Sequence, residues 1–156
     1  QAKIIAELRE QVTSLQTRMS EIVMERQQKN RYGGRRRRQH IVLAWATRLF
    51  GTNTQKLSER VMRVVEETIE VAQAAGVPVN VIERIVYRVY SKAPGELVAE
   101  TGGMLVTGLA LCEILGVDGD ELERDEMERV MSLPEHICRE SHERKVRLGI
   151  AEPSNP

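Results

Sequence analysis

"ELVAETGGMLVTGLALCEIL" (residues 96–115) is the stretch whose reading decides the fold. It holds no Pro, and its apolar residues fall on every side of a helix of 3.6 residues per turn. Gly116 follows as a stop signal. A helix that is apolar nearly all round is expected to be buried. Its acids are the anomaly. Glu96, Glu100, Gly103 and Thr107 stand one above another at i, i+4, i+7 and i+11. An ionised carboxylate in an apolar setting needs a partner charge or a metal. A buried central helix needs other helices around it, and an all-α bundle is the expected fold.

The rest of the chain agrees. Residues 3–29 lack Pro and Gly, and Ile5, Leu8, Val12, Leu15, Met19 and Ile22 are spaced 3, 4, 3, 4, 3. That is coiled-coil seam spacing, so residues 1–30 are expected to be an oligomerisation helix. "RYGG" (31–34) breaks it and "RRRR" (Arg35–Arg38) follows, giving a basic linker over 31–39. A helical domain is expected over 40–148, with a disordered tail over 149–156. Inside that domain, residues 40–50 are apolar and Gly51 ends them. Ser58 is placed to cap a helix running to Ala75, with Gly76 beyond it. Pro78 sits near the start of a helix through Tyr90, and "SKAPG" (91–95) is a loop. "DGDE" opens a further helix, Pro134 interrupts it, and a last piece reaches about Leu148. No strand pattern and no internal repeat is evident.

Composition bounds the function. The chain has 156 residues, 41% apolar and 29% charged, enough for one domain with a core. No apolar run is expected to reach a membrane span, and no signal pattern opens the chain. Two cysteines make no disulfide framework, which suits a reducing cytoplasm. Net charge is zero, but residues 1–60 carry +8 and residues 61–156 carry −8. The first part suits an anion and the second a cation.

"VVEETIEVAQ" (64–73) crowds Glu66, Glu67 and Glu70 on one helix. Like charges three and four apart destabilise an isolated helix by a few tenths of a kcal/mol per pair. Arg60 and Arg63 lie on the same side as Glu67 and Glu70. Two acidic helices in one bundle offer each other only repulsion, whereas a hard divalent cation between them suits carboxylate ligands. The competing account is that each Glu pairs with a nearby Arg or reaches solvent.

"EETIE" (66–70) resembles the E-E-x-x-E signature of the MazG-like all-α nucleoside triphosphate pyrophosphohydrolases, and "ETGG" (100–103) resembles the family's E-x-x-D motif. The similarity runs from about His40 to Lys145. It implies a helical bundle, usually dimeric, that cleaves a nucleoside triphosphate to monophosphate and pyrophosphate with Mg²⁺ or Mn²⁺. It implies Glu67, Glu70 and Glu100 as metal ligands and Glu66 as the extra acid. The Asp of the second motif falls on Gly103, so Glu96 becomes a candidate compensating ligand. Glu67 or Glu70 would orient or deprotonate water. Arg60, Arg63 and Lys92 are the candidate phosphate-binding cations, and Trp45 is a candidate base contact.

Other motifs are weaker. Cys138 and His142 stand at i, i+4 with no second zinc-spaced pair. "DGDELERDEMER" (118–129) puts Arg129 where a calcium loop needs Glu. Nucleic-acid binding by Arg35–Arg38 is not favoured, because no recognition module accompanies the run. The alternative function is a catalytically impaired scaffold that docks a partner through the coiled coil and basic run.

Overall fold

The computed structural model describes residues 2–30 and 32–155, with nothing given for the side chains of 2 and 25–30. Gln1, Arg31 and Pro156, which open the expected coiled coil, open the linker and close the tail, lie outside the described residues. The protein is all-α. Among the described residues, seven helices run in order as α1 (Ala2–Asn30), α2 (Arg35–Phe50), α3 (Leu57–Ala74), α4 (Val79–Tyr90), α5 (Leu97–Leu115), α6 (Gly119–Ser132) and α7 (Glu135–Arg147), with a 3-10 turn at Thr52–Gln55 between α2 and α3. The described residues contain no strand. The chain divides into two units, Gln1–Ile41 and Val42–Pro156, and the division falls inside α2.

In the first unit, α1 is a single helix whose described side chains are all exposed, including the stripe from Ile5 to Ile22. Thr13, Thr17 and Ser20 return their hydroxyls to carbonyls four residues back, at 2.9–3.1 Å. The basic run differs from the expected linker. Arg35–Arg38 forms the first turn of α2, with the Arg37 and Arg38 amides bonded to the Gly34 carbonyl. Arg38 is buried, and its guanidinium donates to the Gly33 carbonyl at 2.7 Å. A run of like charges is readily read as solvated, but one arginine anchored on the preceding turn is enough to set the helix start.

In the second unit, helix ends follow the turn chemistry. Gly76 and Gly116 carry positive φ beyond α3 and α5, the left-handed conformation glycine adopts freely. Asp118 caps α6 by accepting from the Asp120 and Glu121 amides at 2.8 and 3.1 Å. Ser58 is not a cap. The α3 N-cap is Lys56, without a side-chain cap bond, and Ser58 lies inside the helix.

The core joins α2, α6, α7 and the C-terminal segment. Ala46, Leu49, Met127, Cys138 and Ala151 are its buried apolar residues. Phe50 stacks on His142 at 4.6 Å and meets Trp45 edge-on at 5.9 Å. Arg139 donates to the Leu49 carbonyl at 2.5 Å, and Arg48 pairs with Glu135.

The C-terminal segment also departs from expectation. Residues 150–155, expected as a disordered tail, are tied to the 3-10 turn and α3. The Glu152 amide donates to Glu59 Oε2 at 2.7 Å, Lys56 pairs with Glu152 at 3.1 Å, and Asn155 accepts from the Asn53 amide at 2.8 Å. Polar residues at a chain end read as disorder only when nothing opposite them is spaced to pair.

The largest difference concerns α5. It is expected to be buried, yet all its residues are exposed except the half-buried Cys112. It is also the one helix among the described residues long and apolar enough, by length and composition, to cross a membrane, which corrects the expectation that no run reaches that length. A single such helix, judged by length and composition only, is no argument for a span. α4 has no buried residue either. Apolar periodicity specifies that a face is to be covered; it does not specify that the same chain covers it.

Candidate functional site

α2, α3, α6 and α7 enclose a pocket of about 460 Å³. One wall is apolar, with Trp45, Phe50, Val130 and Ile137; the other carries Arg60, Arg63, Arg129 and Lys145 against Glu59 and Glu67. Ser141 and His142 also line it.

α3 supplies most of the charge because its i, i+3 and i+4 neighbours share a face. Glu59, only 1% exposed, lies 3.4 Å from Arg60 and 3.5 Å from Arg63. Arg63 also binds Glu66 and donates to the Ile150 carbonyl. Lys145 reaches Glu66 from α7 at 2.9 Å. Burial holds the Arg60 guanidinium below its ordinary pKa, with Glu59 acting in the opposite direction. Among the described residues, the Nε of Arg60 and the Nε2 of His142 are buried without a hydrogen-bond partner, and the buried Nε of Arg63 faces Glu59 at 3.5 Å without a hydrogen bond. Such atoms are rare in folded chains and mark places where a further polar group belongs.

Burial also lowers the His142 pKa, against the raising effects of Glu59 and a hydrogen bond to the Glu152 backbone. Its folded pKa therefore lies below its unfolded value, and the unfolded chain takes up the proton first as pH falls. Stability from this group is present above the unfolded pKa near 6.5 and is lost as pH falls toward the folded pKa. His142→Gln is expected to flatten the loss of stability as pH falls below about 6.5. Urea midpoints across that range test it; a parent-like acid slope in the variant would remove His142 as the cause.

The residues singled out in the sequence are only partly brought together. Arg60, Arg63, Glu67 and Trp45 line the pocket. Glu66 is half-buried and held by Arg63 and Lys145, as the pairing account anticipates. Glu70 is exposed on α3. Glu100 is exposed on α5 and lies over Gly95, where an added Cβ would collide with its carboxylate. Lys92 is exposed in the loop 91–95 and does not line the pocket. Glu96 is the N-cap of α5, accepting from the Ala99 amide at 2.8 Å, and that bond holds its carboxyl below the usual range. Around Gly103 an added Cβ would meet nothing within 4 Å.

Among the described residues, no group of three His, Cys, Asp or Glu side chains is arranged to hold a metal ion. Glu67 and Glu70 lie one turn apart on α3, and Glu66 is paired with Arg63 and Lys145.

Glu59, Arg129, Lys145 and His142 were not singled out as site residues by the sequence. The Glu59–Arg63 spacing of four was the available signal. The approach of Lys145 to Glu66 joins positions 79 apart, and no local pattern encodes it. Comparisons with family models, with curated proteins and with solved structures find no match.

Proposed function

We propose that the chain is a MazG-like, metal-dependent nucleoside triphosphate pyrophosphohydrolase acting in the cytoplasm. The reading rests on the resemblance of "EETIE" (66–70) and "ETGG" (100–103), and the pocket on α3 is the structural observation that favours it. Four cations and an aromatic wall, with guanidinium nitrogens that lack a hydrogen bond, suit an anionic ligand that carries a ring. In this reading Arg60, Arg63 and Lys145 hold phosphate oxygens, Trp45 lies against the base, and Glu67 orients the attacking water. Mg²⁺ or Mn²⁺, when bound, supplies charge neutralisation on the leaving pyrophosphate. The exposed α1 stripe pairs the chain with a second copy.

Pyrophosphate release from a panel of ribo- and deoxyribonucleoside triphosphates, with Mg²⁺ or Mn²⁺, tests the reading. Glu67→Gln is expected to lower turnover by roughly 10²-fold or more while leaving the fold intact. No release from any triphosphate would leave the alternative, a helical scaffold, which the dispersed acids favour.

The open space at Gly103 allows a separate check. Gly103→Asp is expected to fold, because the new side chain meets nothing, and to raise the Mn²⁺-dependent gain in melting temperature. Identical melts with and without millimolar Mn²⁺, in both the parent and the variant, would count against any metal role.

A further inference from the structure

The C-terminal segment, residues 150–155, is bound to the charged wall of the pocket. Of its residues only Ala151 is buried, so apolar packing contributes little to seating it. Polar bonds seat it instead, and two of them reach residues that line the pocket. The Ile150 carbonyl accepts from Arg63, and the Glu152 amide donates to Glu59 at 2.7 Å. The others lie outside the pocket. Lys56 pairs with Glu152 at 3.1 Å, and Thr52 and Asn53 bond Asn155 and Pro153 at 2.8–2.9 Å. Gly149, at φ +71°, joins the segment to α7, and an added Cβ there would meet nothing within 4 Å. An open turn of that kind can serve as a hinge.

Arg63 is where the segment and a ligand would compete. Its Nε faces Glu59 at 3.5 Å, one terminal nitrogen binds Glu66 and the other binds the Ile150 carbonyl. All three nitrogens face a partner, so a ligand oxygen reaches this guanidinium only by replacing one of them. Glu66 is held a second time by Lys145 at 2.9 Å, and Glu59 is buried beside Arg60. The Ile150 carbonyl is the neutral partner of the three. A bond between two ionised groups is stronger than one from the same guanidinium to a neutral carbonyl. A phosphate-type oxyanion therefore displaces the carbonyl before it displaces either carboxylate. The same negative charge repels Glu59, the acceptor for the Glu152 amide. Both inner bonds of the segment weaken together.

We propose that residues 150–155 form an autoinhibitory strap: the Ile150 carbonyl occupies the place of a ligand oxyanion on Arg63, and seating of the strap and binding of the oxyanion exclude each other. The proposal rests on the reading that the pocket takes a phosphate-bearing ligand, and it adds regulation to that site. Loosening the outer bonds raises the fraction of chains competent to bind, and apparent affinity rises with that fraction.

Amide exchange of the full chain, with and without inorganic pyrophosphate and without divalent metal, tests it. A ligand that binds only the folded chain stabilises it and slows exchange in general. Saturating pyrophosphate is expected to speed exchange of the Glu152 amide by ~10-fold or more, against that trend. Calorimetric titration of pyrophosphate into Lys56→Ala and Asn155→Ala gives a second readout. Neither residue lines the pocket, and each variant removes an outer bond. Both are expected to bind pyrophosphate about 3- to 10-fold more tightly than the parent. Loss of the Lys56 cation by itself weakens attraction for an anion, so charge and strap predict opposite signs. Exchange on the parent needs no variant, and circular dichroism identifies a variant that has unfolded. Pyrophosphate that binds while the Glu152 amide slows or stays unchanged would overturn the strap and leave the phosphate reading of the pocket standing. Folded variants that bind no more tightly than the parent would do the same. No binding to the parent or to either variant would overturn both.

Discussion

Glu59→Ala is expected to destabilise the protein by about 3 kcal/mol, the lower end of the cost of breaking a buried ion pair. The carboxylate is 1% exposed, accepts from the Glu152 amide at 2.7 Å, and stands 3.4 and 3.5 Å from two guanidinium groups. Removing it leaves a buried amide without an acceptor and Arg60 without its nearest counter-charge. Arg63 keeps Glu66 and the Ile150 carbonyl, and Arg60 is 35% exposed, so water and remaining partners limit the loss. For a domain of this size about 3 kcal/mol corresponds to a fall of roughly 10 °C in melting temperature. Glu59→Gln keeps an acceptor for the Glu152 amide and is expected to lose about half as much. Melting curves and urea midpoints of both variants decide it. A Glu59→Ala melt within about 2 °C of the parent would show that the C-terminal segment is held by its other bonds.

The same residue shows where sequence reading succeeds and stops. The helices are legible because Gly51, Gly76, Gly116 and Pro134 punctuate the chain, and because apolar spacing repeats between them. The pairing of Glu59 with Arg63 is legible as an i, i+4 contact. Its bond to the Glu152 amide is not, since it joins positions 93 apart. The partners of the basic run and of the C-terminal segment are illegible for one reason: a polar or charged run has no periodicity from which to infer a partner. α5 shows the opposite difficulty. Its apolarity announces enclosure, but the sequence does not say what supplies the walls. The candidate site inherits both difficulties. Arg60, Arg63 and Glu67 are grouped by α3 spacing, whereas Trp45 on α2 is a candidate base contact that no spacing ties to α3. Convergence of Glu100 with α3 required a packing of α5 that the single chain does not adopt.

Gly51→Ala is expected to lower the melting temperature by about 5–10 °C, because two costs combine at one position. Gly51 has φ +86° and ψ −179°, a region open essentially to glycine alone. Holding a side-chain residue there costs roughly 1–3 kcal/mol. The added Cβ would also collide with the backbone carbonyl and side-chain oxygen of Asn155. Asn155 cannot move away freely, because it accepts from the Asn53 amide at 2.8 Å and donates to Thr52 at 2.8 Å. The two costs separate in a chain ended after Glu152. That chain keeps the Glu59 bond and removes Asn155, so only the backbone strain remains. Gly51→Ala is expected to cost less there than in the full chain, and the difference measures the contact. Equal losses in both backgrounds would assign the whole effect to the conformation of residue 51. No loss in either would mean that the turn relaxes without glycine, and that the C-terminal segment is not seated against it in solution.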